Sequence, residues 1–387
     1  MNRKNCDKNV MMVASVASMI DLFNEENINI LQSLGYKVHV MTNFENGSIT
    51  SNERVQEFRG ELDEKGVCAT HVPIPRSLFK AKSIIESYKM IKKEVMSKDY
   101  EIVHCHSPIG GVVCRMACRK ARKKGLRVLY TAHGFHFYKG APLLNWLIYY
   151  PVEKFCSYFT DVLITINKED YNFAKKNLNA KKVCYVPGIG IDTEKFSFNS
   201  SARSEKRSEL GLSDDDILIL SVGELNENKN HQVVIKALAK SGNKNIHYAI
   251  AGRGEKHDFL INLANELGVS ERVHLLGYRT DIDKLYSAAD ICCIASIREG
   301  LVVAALEGIS CGVPLVSSKC RGTVDYAVDG ENAFLCNWNS ADEFAHAIDR
   351  LAEDKALREK LSIESVQTAQ RFDKSVVSKI MNDIYNK

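Results

Sequence analysis

Apolar runs of strand length alternate with amphipathic stretches of helix length along most of the chain. Residues 10–16 form the first apolar run, residues 21–34 have helical spacing with Gly35 as a stop, and residues 37–42 read as the next strand. Residues 102–106, 127–131 and 162–166 are further short apolar runs with helical segments between them. A polar, charged stretch at residues 197–216 interrupts the pattern. It then resumes with strands at 217–222, 246–250, 273–276, 290–295 and 315–317. Strands separated by helices in this way fold as doubly wound, mostly parallel sheets, so the fold class is α/β. The expected domains are residues 1–192 and 193–370, with residues 371–387 as a last helix. Its stripe of Val376, Val377, Ile380, Met381 and Ile384 needs a surface to cover, and the first domain is one.

The amino-terminal run admits a second reading, because Arg3, Lys4 and Lys8 precede apolar residues 10–20 as in a signal peptide. Asp7 interrupts the basic region and Asp21 ends a run too short to span a bilayer. A buried first strand leading into a helix fits better, and a cytoplasmic protein is expected.

Composition narrows the class. A chain of 387 residues is too long for one ordinary core, which agrees with two domains. The net charge of +4 is too small to imply a nucleic-acid partner. The 12 cysteines lack paired metal-type spacings, and some, such as Cys292-Cys293, lie inside apolar strands, as small buried thiols do in a reducing compartment. No Gly-x-Gly-x-x-Gly follows the first strand, where the residues are Ala14-Ser15-Val16-Ala17-Ser18, so a dinucleotide fingerprint is absent.

In such sheets ligands bind beyond the carboxyl ends of the strands. Two histidine-bearing loops fall there: His104-Cys105-His106-Ser107-Pro108, and Thr131-Ala132-His133-Gly134-Phe135-His136. His133 stands out because Gly134 beside it permits close backbone approach by a ligand. In the second half the informative stretch runs from Ser296 to Pro314, with Glu299 just ahead of a helix predicted to start at Gly300 and Glu307 within it. A helix start favours anions, and the two acids read as separate hydroxyl-binding groups on either side of an anion site. Lys229 and Arg253, on the loops after neighbouring strands, complete a diphosphate site that uses no metal. The Asp-x-Asp patterns at 214–216 and 281–283 are explained by turn and helix-capping duty, and no catalytic metal or cofactor is expected.

Arg115, Arg119 and Arg122 are spaced by four and three, which puts them on one helix face. Lys80, Lys82, Lys89, Lys92 and Lys93 make a second basic helix. Either face is solvated or docks on an anionic membrane surface; nucleic acid is disfavoured because no aromatic stacking set is interleaved.

These residues resemble a known family. Glu299-x7-Glu307 followed by Gly312-Val313-Pro314, the loop Gly252-Arg253-Gly254-Glu255, Gly277-Tyr278 and the last helix are similar to the retaining glycosyltransferases of family 4. That family has the GT-B fold of two facing Rossmann-like domains with a last helix crossing back to the first. Residues 131–140 and 223–231 resemble the subgroup that builds capsular and exopolysaccharides. The resemblance implies a nucleotide-sugar donor, most often a UDP-sugar, held by the second domain. It implies donor-sugar hydroxyls on Glu299, ribose on Glu307, and diphosphate on Lys229 with the N–H groups of Gly300 and Leu301. The loops at Gly223 and Gly252 would lie on the donor, the base near Tyr278 and Arg279, and His133 at the donor sugar from the other domain. His106 and His136 fall on the acceptor side. The implied acceptor is a polyprenyl-diphosphate-linked sugar at the inner membrane surface, with Arg115, Arg119 and Arg122 facing the membrane.

One departure matters: the family usually has Arg where this chain has Glu224, and Arg253 is the cation expected to replace it. Two other readings stay open: a non-hydrolysing UDP-sugar epimerase, which shares the two-domain fold, and a non-catalytic nucleotide-sugar-binding subunit.

Overall fold

The computed structural model describes residues 8–45 and 51–387, so Arg3, Lys4 and Asp7 lie outside the described residues. The chain forms two compact units, Met1–Ile189 with Val377–Lys387, and Gly190–Val376.

The first unit runs β1 (Lys8–Val13), α1 (Ala17–Asp21), α2 (Glu25–Ser33), β2 (Tyr36–Thr42), α3 (Asn52–Glu64), β3 (Cys68–His71), α4 (Ala81–Ser97), β4 (Ile102–His106), α5 (Pro108–Arg122), β5 (Arg127–Ala132), α6 (Leu143–Ser157), β6 (Val162–Thr165), α7 (Lys168–Asn177) and β7 (Lys182–Tyr185). Its strands make one sheet in the order β3-β2-β1-β4-β5-β6-β7, all parallel. A parallel sheet is covered on both faces, which is why Val10, Met11, Met12 and Val13 are consecutive apolar residues rather than alternating ones, and all four are fully buried. That burial agrees with a first strand at the chain's start.

The second unit runs α8 (Ser200–Glu209), β8 (Ile217–Val222), α9 (His231–Lys240), β9 (Ile246–Ala251), α10 (His257–Glu266), β10 (Val273–Gly277), α11 (Ile282–Ala288), β11 (Ile291–Ile294), α12 (Val303–Ser310), β12 (Leu315–Ser318), β13 (Ala333–Cys336), α13 (Ala341–Glu353) and α14 (Lys355–Gln370). Its sheet has the order β10-β9-β8-β11-β12-β13, again all parallel. The last helix, α15 (Lys374–Asn386), contributes Val377, Met381, Ile384 and Tyr385 to a core cluster of the first unit.

The divisions fall at 189/190 and 376/377 rather than after 192 and 370. The physical reason is a set of bonds inside the second unit. Ile191 N–H donates to Phe372 O (2.9 Å) and Lys374 N–H to Ile191 O (2.8 Å), while Lys374 Nζ pairs with Asp192 at 2.7 Å.

The basic face read on α5 is corrected by the structure. Arg115 is fully buried. Its guanidinium pairs with Glu153 of α6 at 2.8 Å, donates to Gly111 O at 2.9 Å, and lies 3.9 Å from the centre of the Tyr130 ring. Arg122 donates to Asp161 at 2.9 Å and to Tyr158 O at 3.1 Å. Of the three only Arg119 is exposed, beside Phe159. Spacing put the arginines on one face correctly, but Arg115 and Arg122 on that face are engaged by the protein and only Arg119 meets solvent.

Candidate active site

In an open parallel sheet, ligands bind at the carboxyl ends of the two strands where strand order reverses. In the second unit these are β8 and β11, which lie side by side. The loop after β8 carries Gly223–Asn230, and the loop after β11 carries Ser296–Val302.

The β8 loop is zipped to the loop after β9. Gly223 N–H donates to Ala251 O, Leu225 N–H to Arg253 O and Lys256 N–H to Leu225 O, at 2.9–3.0 Å. Glycine is required at this seam: a Cβ on Gly252 would sit 1.8 Å from Gly223 O, and one on Gly254 2.4 Å from Leu225 O. The zip sets the backbone of Leu225 against that of Arg253. Asn226 Nδ2 donates to the Glu224 carboxylate at 2.7 Å. Arg253 is exposed, with its guanidinium 5.8 Å from the centre of the Tyr278 ring. No acidic partner holds it among the described residues.

The β8 loop is also tied to the β11 loop. Asn228 Nδ2 donates to Arg298 O (3.0 Å) and its Oδ1 accepts from Arg298 N–H (3.2 Å). Ile297 N–H donates to Asn228 O at 2.8 Å. Asn230, held at φ 54°, donates from Nδ2 to Ala295 O (3.1 Å) and Trp338 O (2.7 Å). Between these asparagines, Lys229 Nζ bonds Glu299 Oε1 at 2.7 Å, and both side chains are mostly covered. Two charges that the sequence separates by seventy positions thus form one pair, fixed from both sides by backbone clamps. His231, next in line, reaches Tyr248 Oη (3.0 Å) and Glu224 O (3.2 Å), and burial pushes its pKa down to about 4, so it is neutral at pH 7.

The helix after Glu299 begins at Val303, with Val302 as its N-cap and no side-chain cap, not at Gly300. Gly300 and Leu301 belong to the lead-in loop, so the seven residues between the acids are not all helical. Gly322, from the loop after β12, packs against this lead-in so closely that a Cβ would lie 2.3 Å from Gly300 O. The first turn of α12, four residues after Glu299 in the chain, carries no side-chain cap, so its backbone N–H groups lack helical partners. Glu307, on the first turns of α12, is half-buried, and burial raises its carboxyl to about pH 7 against the opposing pull of Lys195.

Tyr278 and Arg279 separate in the structure. Tyr278 is exposed beside Arg253. The Arg279 guanidinium is occupied: it bonds both oxygens of Asp281 (2.8 and 2.7 Å) and Glu209 (2.7 Å). Those carboxylates hold its pKa well above its usual range. Its side chain therefore clamps α8 to the start of α11.

In the first unit the order reverses between β1 and β4. Here the histidines from the two loops meet. His104 Nδ1 contacts Tyr385 Oη and its Nε2 contacts Thr131 Oγ1, each at 2.8 Å. His106 Nδ1 lies 3.2 Å from His133 Nε2. Burial pushes His104 down to about 3 and His133 to about 4, and lowers His106 as well, so all three rings are neutral at pH 7. His106 Nε2 is buried without a partner among the described residues. His106, Thr131 and His133 line a cavity of this unit with Phe23, Asn24 and Asn27. His136 points elsewhere, stacked on Tyr149 with ring centres 4.7 Å apart. Sequence reading missed Asn228, Gly322 and Tyr385. The run Asn226-x-Asn228-x-Asn230 around Lys229 was the one local signal available.

Two parallel α/β units built this way constitute the GT-B architecture. The fold superposes on the Anabaena protein Alr3699/HepE, solved in complex with UDP, with a TM-score of 0.77 at 19% identity over 98% of this chain and 99% of that one. The chain belongs to the family 4 glycosyltransferases: residues 26–195 match the model described as Glycosyltransferase Family 4, and residues 202–367 match Glycosyl transferases group 1. A Bacillus subtilis protein assigned as a glycosyltransferase, EpsD, is 37% identical over 383 residues, covering 98% of this chain and 96% of the relative. The Escherichia coli UDP-Gal:alpha-D-GlcNAc-diphosphoundecaprenol alpha-1,3-galactosyltransferase is 32% identical over 71% of each chain.

Proposed function

We propose that this glycosyltransferase moves a sugar from a UDP-sugar to a sugar carried on a polyprenyl diphosphate, with retention of anomeric configuration, in exopolysaccharide or capsule assembly. The observation that carries the reading is the clamped Lys229–Glu299 pair beside the uncapped start of α12. A cation, outward N–H groups and a carboxylate together suit a sugar diphosphate: charge for the phosphates, and an acceptor oxygen for sugar hydroxyls. The UDP-sugar and diphospholipid in the name of the Escherichia coli relative, and UDP in the Anabaena structure, support the same substrate classes.

In this reading Lys229, the N–H groups from Gly300 to the first turn of α12, and Arg253 stabilise the departing diphosphate. Glu299 Oε2 accepts from sugar hydroxyls while Oε1 keeps Lys229 in place. Glu307 accepts from the ribose hydroxyls. With the Arg279 side chain occupied, the base rests on Tyr278 and the backbone at Gly277. The chemical step needs UDP to leave and an acceptor hydroxyl to attack on the same face, the leaving phosphate helping to remove the acceptor's proton. Stabilising the leaving group is the largest contribution, and protein cations supply it without a metal. His133 and His106 offer neutral imidazoles to sugar hydroxyls in the first unit. No helix among the described residues is long and apolar enough to cross a membrane. We place the protein in the cytoplasm, on the inner face of the cell membrane, held there by a surface rather than a span.

The test is incubation with a panel of UDP-sugars, with and without a polyprenyl-diphosphate-linked sugar. Acceptor-dependent UDP release, unaffected by EDTA, with the donor's anomeric configuration kept in the product, is expected. An inverted product would overturn the retaining mechanism. Isomerised UDP-sugar without acceptor would make the protein an epimerase, and donor binding with neither transfer nor hydrolysis would make it a binding subunit.

A further inference from the structure

We propose that an apolar cavity in the first unit, on the side of the sheet carrying α4, α5 and α6, seats the first isoprene units of the lipid acceptor. The inference rests on the lipid-linked reading above and adds where the lipid goes.

The cavity has a volume of about 250 Å³ and is walled by Leu78, Ile109, Val112, Phe135, Ile148 and Val152, with Tyr149 and His136 at one side. Apolar cavities of about 150 Å³ stay dry and take up benzene, so this one has room for a branched hydrocarbon chain. Glu153 also borders it, but its charge is matched by Arg115 at 2.8 Å, so no uncompensated charge faces the space. This gives Arg115 a role that the sequence did not suggest: it neutralises the floor of an apolar site.

The surroundings of the cavity point to a lipid rather than a soluble occupant. On α6, Leu143 is 81% exposed, Leu147 74% and Leu144 63%, and on the chain leading into α4 Phe79 is 97% exposed. A protein surface rarely leaves this many large apolar groups in water without a partner. Lys80, Lys82 and Lys154 on these segments, and Lys139 just before α6, stand exposed with no acidic partner among the described residues, Lys154 donating to Tyr150 Oη at 3.3 Å. Apolar groups flanked by cations without acidic partners complement a hydrocarbon chain that ends in a diphosphate and sits among anionic headgroups. The wall formed by residues 134–137 is the continuation of the strand-end loop that carries His133, so the cavity and the imidazole cluster share one loop.

The experiment uses the full chain and the double substitution Val112→Phe with Ile148→Phe, which fills the space with apolar groups and keeps the charges. Kinetics are compared on two acceptors carrying the same sugar diphosphate, one on a long polyprenyl chain and one on a short water-soluble alkyl group. The expected result is a KM increase of about tenfold or more for the polyprenyl acceptor, since the filled space denies the prenyl chain the burial of several methylene groups. Turnover on the short acceptor and the unfolding midpoint should not change. Direct binding is read by energy transfer from Trp146, whose ring lies 5.6 Å from Phe137, to an aminobenzoyl-tagged prenyl phosphate, in a Trp338→Phe background. Transfer in the parent, lost in the filled variant, is expected.

An unchanged polyprenyl KM together with undiminished energy transfer would sink the proposal. Equal losses on both acceptors would reduce the cavity to a structural feature and also overturn it. Concentration-dependent self-association abolished by the filled variant would assign this surface to a second copy instead. If the parent transfers to neither acceptor, the glycosyl-transfer reading fails while the energy-transfer measurement still decides the lipid site.

Discussion

Arg115 and Lys229 show how differently two cations can be used once their surroundings are known. Arg115 is buried against Glu153 and Tyr130, so replacing it alone strands a carboxylate. Arg115→Met is expected to destabilise the first unit by about 3–5 kcal/mol, and adding Glu153→Leu to recover most of that, because an apolar pair leaves no unpaired charge. Urea unfolding of the two variants checks this. Lys229, by contrast, is held at the rim of a loop by Glu299. Lys229→Met should cut turnover about 100-fold or more with little change in unfolding midpoint. Arg253→Ala should lower turnover too, since Arg253 is an exposed cation on the loop bonded to the one that carries Glu224; unchanged donor binding and turnover would end its proposed role as the replacement cation.

Glu307 supplies the pH dependence. Its folded pKa of about 7 lies above the ordinary carboxyl value of 4.5. The protonated form therefore favours the fold fully below 4.5, and that contribution is lost as pH rises through about 7. In the role proposed for Glu307, donor binding runs the other way, because an ionised carboxylate is the stronger acceptor for ribose hydroxyls. UDP affinity is expected to improve as pH rises through 7, being about tenfold weaker one unit below that value. Glu307→Gln should flatten the profile, as titration calorimetry across pH 6–8 would show.

At the scale of elements, the site is made by loops bonded to loops. Asn228 holds the backbone before Glu299, and Asn228→Ala is expected to weaken UDP binding by severalfold while Lys229 and Glu299 are both still present. Gly252→Ala is a harsher test. Its new methyl would collide with Gly223 O, a backbone atom that cannot move without opening the seam between the loops after β8 and β9. Donor binding should be lost with the second sheet intact, read by calorimetry beside far-ultraviolet circular dichroism.

Whole-molecule connectivity adds a constraint that neither unit reveals alone. The last eleven residues belong to the first unit. Tyr385 fixes His104 at 2.8 Å, and Arg127 donates to the carbonyls of Tyr385 and Ile384 at 2.9 and 2.8 Å. Residues 1–189 expressed alone should therefore unfold at lower denaturant than the same piece with residues 377–387 joined through a flexible linker. Equal midpoints would show that the returning segment adds no stability.

Alternating apolar runs and helices were enough to read two doubly wound sheets from the sequence, because parallel strands covered on both faces must be continuously apolar. The spacing of Glu299, Glu307 and Gly312-Val313-Pro314 was equally legible, since a local motif keeps its residues close along the chain. Tertiary structure decided what local pattern could not. Helical spacing put Arg115, Arg119 and Arg122 on one face, but whether a face meets water depends on which helix packs on it, and α6 covers Arg115. The lead-in to α12 is packed by Gly322 against Gly300, a contact between distant loops. The Arg279 guanidinium is taken up by Asp281 and by Glu209, seventy residues away, a partner no local window contains. Lys229 met Glu299 because β8 and β11 are neighbours in the sheet, and strand order is set by packing across the whole unit rather than by any window of sequence.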